Sequence, residues 1–236
     1  MIRILSIISI TFVFSNNPIN NLIIGIWPEY DHSGVLVSLQ IESDSTKIPY
    51  DFNLHIPLKT KMAIETIDDG INKINNVLDI NFNNDSTLKF LNFSINSKKT
   101  LVQFYYNPFE HHNTNREINY FLKSNIDLAD FFIVVQKHIQ AENFITNLEN
   151  IEEITDEFGV NYYKSKISKL NQKDSLLIKV SYVNPNLKTT IDILNNKFLD
   201  QKIENNKSKP IVKAVNLDKY FNNKIKILFL MSFLTL

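Results

Sequence analysis

Large apolar residues alternate with polar residues along most of the chain, at the two-residue period of a β-strand with one buried face. The pattern is clearest in residues 48–57, where the large apolar positions are Ile48, Tyr50, Phe52, Leu54 and Ile56. About eleven such segments recur at intervals of roughly eight to fifteen residues, and no segment of about ten residues or more within them has helical periodicity. The pattern predicts an all-β fold, a single antiparallel β-sandwich domain of immunoglobulin-like or jelly-roll-like type, with a closed barrel as the alternative.

Four segments depart from simple alternation. Residues 100–106 are apolar or aromatic on both faces, and residues 131–135 are consecutively apolar, which predicts strands in the interior of a sheet. The apolar phase changes between Phe90 and Leu91, and a β-bulge there would keep both halves facing the core. Residues 141–158 carry only a weak apolar stripe, so we expect a long loop.

The stretch from Ile26 to Gly34 contains the only Trp of the chain and joins two predicted strands. Residues 22–27 form an apolar run, and Pro28 ends it because proline cannot donate to a central ladder. Residues 29–34 form a polar turn, after which an alternating strand begins. So short a connection predicts an antiparallel pair, with Trp27 against the interior at its edge.

The sequence Ile-Trp-Pro-Glu-Tyr-Asp, followed by Val-Leu-Val at residues 35–37, resembles the start of a little-characterised class of bacterial envelope proteins. Further similar motifs occur at residues 103–108, 134–141 and 180–182. The resemblance covers residues 22–184 and implies a signal peptide, one β-sandwich domain and a C-terminal membrane anchor. Members often carry a cysteine-rich zinc ribbon after the anchor, which a chain without Cys cannot form. The resemblance implies an architecture and a location, and no biochemical activity.

The first fifteen residues resemble a secretory leader. Arg3 precedes an apolar run over residues 4–14, which is too short to span a bilayer and is typical of the hydrophobic region of a signal peptide. We expect residues 1–15 to be removed by cleavage after Ser15. The alternative is a buried N-terminal strand.

Beyond the predicted domain the composition changes. Residues 185–224 include a low-complexity stretch rich in Asn, Lys, Gln and Glu, which predicts a flexible polar linker. Residues 225–236 are nearly all apolar, but as a helix they would be about 18 Å long, against a hydrocarbon core of roughly 30 Å. We expect a truncated membrane anchor; docking on the domain or at a membrane interface is the alternative. The predicted location is extracytoplasmic and membrane-anchored, after secretion across the inner membrane.

Charge and cysteine content narrow the possible partners and chemistry. Lys plus Arg and Asp plus Glu each total 25, so the net charge is zero and no overall field attracts nucleic acid. The absence of Cys excludes disulfides, thiol catalysis and cysteine-bound metal. With only four Gly, the chain has no Gly-x-Ser-x-Gly elbow and no phosphate-binding glycine loop. We therefore predict no catalytic residue and no cofactor.

Glu110, His111 and His112 are the nearest approach to a metal site, since carboxylate and imidazole can both ligate zinc. Neighbouring residues of an extended chain point in opposite directions, so a solvated loop is the preferred interpretation and no metal is predicted. His32, beside Asp31 and Glu29, is explained by a polar turn. We expect His55 on the polar face of its strand and His138 at a strand end to lie on the surface.

The abundant aromatic residues suggest a binding surface. Its candidate members are Trp27, Tyr30, Tyr105, Tyr106 and Phe109. The first hypothesis is a non-enzymatic envelope module that binds a protein partner; the second is a carbohydrate-binding domain that stacks sugars on exposed Tyr or Phe. The third and most distant is a metal-dependent hydrolase. Three coplanar exposed aromatic rings would favour the second hypothesis, and His32, His111 and His112 within about 5 Å of each other would favour the third.

Overall fold

The computed structural model describes residues 17–60, 62–68, 73–82, 89–110 and 112–197. The chain divides into two units, Met1–Leu194 and Asn195–Leu236, and the described strands all belong to the first unit. The predicted signal peptide, the predicted apolar tail and most of the predicted linker lie outside the described residues. In the described residues, no helix combines the length and the apolar character needed to cross a bilayer.

Fourteen strands and one short helix, α1, build the described part of the chain. They are β1 (Ile19–Pro28), β2 (Val35–Ser43), β3 (Tyr50–Ile56), β4 (Ala63–Asp68), β5 (Lys73–Leu78), β6 (Ile80–Phe82), β7 (Lys89–Ile95), β8 (Lys99–Tyr106), β9 (Asn115–Leu122), β10 (Leu128–Gln136), β11 (Glu142–Thr146), β12 (Glu152–Thr155), β13 (Asn161–Leu170), β14 (Leu176–Val183) and α1 (residues 190–197). Helix α1 lies in the segment that the sequence predicts as linker.

Eight strands form one large sheet in the order β12-β13-β10-β1-β2-β8-β4-β5. Its pairs are antiparallel except β1 and β10, which run parallel with Ile24 opposite Ile133. Since β12 and β5 each have one neighbour among the described strands, the sheet does not close into a barrel. The antiparallel pairing of β1 with β2 confirms the prediction for this part of the chain.

Two three-stranded sheets, β11-β14-β9 and β3-β7-β6, form the second layer. They meet where β3 passes the end of β9, through an isolated bridge between Leu54 and Ser124. Beside it the His55 amide donates to the Lys123 carbonyl at 2.9 Å. The two small sheets are therefore joined edge to edge.

The core lies between the large sheet and the second layer. β9 shows the predicted alternation most regularly, because every second side chain from Arg116 to Leu122 is buried and those between are exposed. The apolar positions of both layers belong to one continuous hydrophobic cluster, which includes Ile24, Phe52, Phe104, Tyr120 and Phe131. The predicted all-β sandwich is confirmed.

Two local predictions are wrong. Residues 141–158 contain β11 and β12 instead of a long loop, because both strands lie at sheet edges with mostly exposed side chains and need no apolar alternation. The predicted bulge at Phe90 is absent, since β3 and β7 pair without a register shift from Tyr50 opposite Ile95 to Ile56 opposite Lys89. Phe90 instead lies on the face opposite Leu91, with its ring centroid 5.9 Å from that of His55.

Candidate functional site

A buried ion pair links the end of β1 to the second layer. Glu29 is 1% exposed, and Glu29 Oε1 accepts hydrogen bonds from Arg116 Nη2 at 2.8 Å and Arg116 Nε at 3.1 Å. Glu29 Oε2 accepts from the Tyr182 hydroxyl and from Asn184 Nδ2, each at 2.8 Å. Both carboxylate oxygens are thus occupied by donors from β9, β14 and the residue after β14, as a buried carboxylate requires.

The backbone of Glu29 is held as tightly as its side chain. Its φ of 43° lies in the left-handed region, which is unfavourable for a residue with a Cβ. The Glu29 amide donates to the Gly34 carbonyl at 2.7 Å, and the Glu29 carbonyl accepts from the Thr190 amide at 2.8 Å. Glu29 therefore joins the β1–β2 turn to the start of α1. Residues 29–34 form the predicted turn between β1 and β2, and within that turn Glu29 is buried.

His138, expected on the surface, is buried with both ring nitrogens engaged. Nε2 lies 2.8 Å from the Lys188 carbonyl oxygen, and Nδ1 accepts from the Gln140 amide at 3.3 Å. A carbonyl requires a donor and an amide requires an acceptor, so this geometry selects the neutral ring with its proton on Nε2. Burial lowers the pKa of His138, against a smaller opposing effect of the Lys188 hydrogen bond.

Acidification should therefore destabilise the protein through His138. In the unfolded chain His138 takes up a proton near its ordinary pKa of 6.5, whereas in the folded state its pKa is lower. The contribution of neutral His138 to the free energy of unfolding is therefore fully present above pH 6.5 and is lost as the pH falls below it. Urea unfolding at pH 7.5 and 5.5 should show a smaller acid-dependent loss in His138→Gln than in wild type. His32→Gln, at an exposed position, is the control and should retain the wild-type loss. An unchanged loss in H138Q would contradict this role.

An open groove lies near the same end of the large sheet, with a volume of about 570 Å³. The hydroxyl of Tyr105 donates to both carboxylate oxygens of Asp31, at 3.0 and 2.8 Å. Burial and then the Asp31 charge raise the pKa of the Tyr105 hydroxyl, which keeps it a donor. The groove is lined by Asp31, His32, Lys59, Met62, Tyr105, Tyr106 and Asn107.

Beside the groove, tyrosines surround Trp27. The Trp27 ring lies edge-on to Tyr30, with centroids 5.0 Å apart, and contacts Tyr162 at 6.0 Å. The Tyr162 hydroxyl donates to Asp156 Oδ2 at 3.0 Å. Burial, and then the negative charges of Asp31 and Asp156, raise the pKa of Tyr30 to about 12. We refer to Tyr30, Tyr105, Tyr162, Asp31 and Asp156 as the tyrosine–aspartate patch.

The structure brings together three of the five aromatic residues proposed from the sequence. Trp27, Tyr30 and Tyr105 all lie at the patch, whereas Tyr106 is 5% exposed and belongs to the core cluster. Phe109 packs against the core beneath Arg116, whose guanidinium carbon lies 4.8 Å from the ring centroid. The patch also contains Tyr162 and Asp156, which were not among the proposed residues.

Exposed aromatic rings are few in the described residues. Tyr105 is 38% exposed on β8 of the large sheet, and Phe121 is 47% exposed on β9 of the second layer. These are the only large aromatic side chains of the described chain that exceed about a third exposure, and they belong to different layers. The three coplanar rings that would favour sugar stacking are therefore not found there.

The region of Glu110 to His112 is described only in part, because His111 lies outside the described residues. His112 is exposed. His32 lies at the groove, where its ring centroid is 6.0 Å from that of Tyr105. Within the described ranges, no group of three or more His, Asp or Glu side chains is placed to hold a metal ion. The predicted grouping of His32, His111 and His112 includes a residue outside the described ranges, so the metal-dependent hydrolase stays a prediction.

No protein-family model and no curated protein matches the chain. Among solved structures, one match is the crystal structure of a proposed protease from Parabacteroides distasonis, with 9% sequence identity and a TM-score of 0.36. The match covers 70% of this chain, and the chain spans 40% of the length of that protein. A similarity this weak carries no inference about activity.

Proposed function

We propose that the protein is a non-enzymatic binding module of the cell envelope that holds a protein partner in the groove beside the tyrosine–aspartate patch. The observation that carries this proposal is the exposure of the oppositely charged groove residues Asp31 and Lys59. Neither forms a salt bridge with another described residue, so both charges are available to a partner. Exposed charges beside apolar contact area are typical of a recognition surface.

The apolar part of this surface extends beyond the groove. Met62 is 51% exposed and also lines a second groove of about 420 Å³ between β5, β6 and β7. Val77, on the edge strand β5, lines that second groove and is 72% exposed. Exposed apolar side chains that join two grooves favour a protein partner, whose own apolar residues would cover them.

Acid–base catalysis finds little support in the described residues. The two most deeply buried carboxylate and imidazole groups of the described residues, Glu29 and His138, already have their polar side-chain atoms occupied by hydrogen bonds. A general base must reach the proton that it removes, and these groups face other protein atoms. Their role is therefore to fix the turn that carries the groove.

The envelope location in this proposal rests on the sequence. The leader-like residues 1–15 and the resemblance over residues 22–184 support export across the inner membrane, and the apolar residues 225–236 support a membrane tether. Exposed grooves on a tethered domain would face partners in the extracytoplasmic space.

Photo-crosslinking of the full chain in its own host tests the binding surface. A photoreactive amino acid at position 62, in the groove, should give a discrete adduct with one partner protein, which mass spectrometry identifies. The same amino acid at the exposed position 117, on β9 of the second layer, is the matched control and should not give that adduct. Tyr105→Ala should reduce the adduct at position 62 on the order of tenfold if the ring contacts the partner. No adduct at position 62, or the same adduct at positions 62 and 117, would overturn the proposal.

A further inference from the structure

We infer that the partner presents a basic segment, and that the tyrosine–aspartate patch receives one of its Arg or Lys side chains. This inference rests on the proposed function and specifies the chemistry of the partner. The features that point to such a segment are the unpaired carboxylates of the patch, its aromatic rings and the adjoining groove.

The carboxylates of the patch are held in place by hydrogen bonds and form no salt bridge with another described residue. Asp31 accepts from the Tyr105 hydroxyl at both oxygens. Asp156 accepts from the Phe158 and Val160 amides at 2.9 Å each and from the Tyr162 hydroxyl at 3.0 Å. Neither carboxylate forms a salt bridge within the described part of the chain. Their orientation is thus fixed while their charge remains uncompensated.

The rings of the patch suit a cation in particular. Tyr105, whose hydroxyl holds Asp31, is 38% exposed, so its ring is open to a ligand. The rings of Tyr30 and Tyr162 lie edge-on to Trp27, at 82° and 61° to its plane. Electron-rich ring faces attract ammonium and guanidinium groups, and a guanidinium also stacks on aromatic rings. Carboxylates and aromatic rings together therefore select Arg over Lys, and either over a neutral side chain.

Covering the patch with a neutral partner would be unfavourable. Two carboxylates would then lose water without gaining a counter-ion, which is the costly way to bury charge. A cationic side chain compensates the charge as water leaves. Because the net charge of the whole chain is zero, attraction of a basic segment must come from this local arrangement.

Lys59 is the positive charge in the groove that would oppose binding of a basic segment. It lines the groove together with Asp31, but no salt bridge joins the two residues. A basic side chain seated at the patch would be repelled by Lys59 at the groove end of the site. Lys59→Gln should therefore strengthen binding of a basic peptide.

The test uses capped tetra-arginine, tetra-lysine and tetra-glutamate peptides and a neutral xylotetraose, each titrated into the full chain at 150 mM salt and followed by Trp27 fluorescence. Tetra-arginine should bind more tightly than tetra-lysine, and the other two probes should not bind. Asp31→Asn/Asp156→Asn should weaken tetra-arginine binding on the order of tenfold. Asp51→Asn/Glu117→Gln removes the same two charges from exposed positions of the second layer and should change binding less than about twofold.

Equal loss of binding in both double variants would overturn the inference, since overall charge would then explain the affinity. Binding of xylotetraose or tetra-glutamate with an affinity equal to that of tetra-arginine would also overturn it. If position 62 gives its crosslinked adduct but tetra-arginine does not bind, the binding function stands and the basic segment is wrong. If neither is observed, both proposals fail. Circular dichroism of each variant confirms that a lost signal does not come from unfolding.

Discussion

Arg116→Met should lower the free energy of unfolding by about 3–5 kcal/mol, because it leaves the Glu29 carboxylate buried without its counter-ion. Glu29 and Arg116 are both almost completely buried, and their closest oxygen and nitrogen atoms lie 2.8 Å apart. The Tyr182 and Asn184 donors would remain, but neither carries a compensating charge. Urea unfolding monitored by Trp27 fluorescence measures the loss, since Trp27 lies two residues before Glu29.

An exposed ion pair provides the control for this experiment. Lys166 and Asp130 also approach to 2.8 Å, but both side chains are more than half exposed. Lys166→Met should therefore change stability by less than about 1 kcal/mol. The double variant Glu29→Gln/Arg116→Met should recover part of the loss, because the buried charge is removed as well. Equal effects of R116M and K166M would show that the buried pair does not hold the turn.

Phe52→Ala should cost about 3–5 kcal/mol, through lost apolar burial and the cavity left behind. Phe52 is completely buried in β3 and packs edge-on against Phe93, with ring centroids 5.5 Å apart. Since β3 joins the two small sheets through Leu54, a cavity at Phe52 lies close to that junction. Thermal and urea unfolding of the same variant measure the loss.

Phe121→Ala is the matched control for this substitution. It removes the same side chain, but from a position on β9 that is 47% exposed. Nearly half of its surface is already in contact with solvent, so the substitution leaves no closed cavity and a loss under about 1 kcal/mol is expected. A loss as large as that of F52A would indicate that the exposed face of β9 is packed in the intact protein.

The fold class could be predicted from the sequence because a two-residue period is a local signal. In β3 the side chains of Phe52, Leu54 and Ile56 are buried, and those between them are at least partly exposed. A strand with one buried face has apolar residues at every second position, so its own sequence shows which side chains are buried. β11 and β12 could not be predicted in this way, because edge strands with mostly exposed side chains need no apolar residue at every second position.

The candidate site could be predicted only in part, because its contacts join distant residues. Arg116 lies 87 positions from Glu29, and Tyr182 lies 153 positions from it. A turn rich in polar residues gives no sign that one of them is buried. One available signal was that Arg116 is the only arginine of the chain besides Arg3, in a sequence that otherwise uses Lys. Arg is favoured over Lys where a buried carboxylate needs several donors.

The contacts of Glu29 also bear on how the polypeptide reaches its native state. Its hydrogen bonds to Tyr182 and Asn184 close loops of 153 and 155 residues, and the parallel pairing of β1 with β10 also joins distant residues, with Ile23 opposite Phe132. Closing such loops costs conformational entropy before the contacts that stabilise them have formed, so topologies of this kind fold slowly. A chain emerging from the ribosome cannot complete this domain until residue 190 is free to reach Glu29.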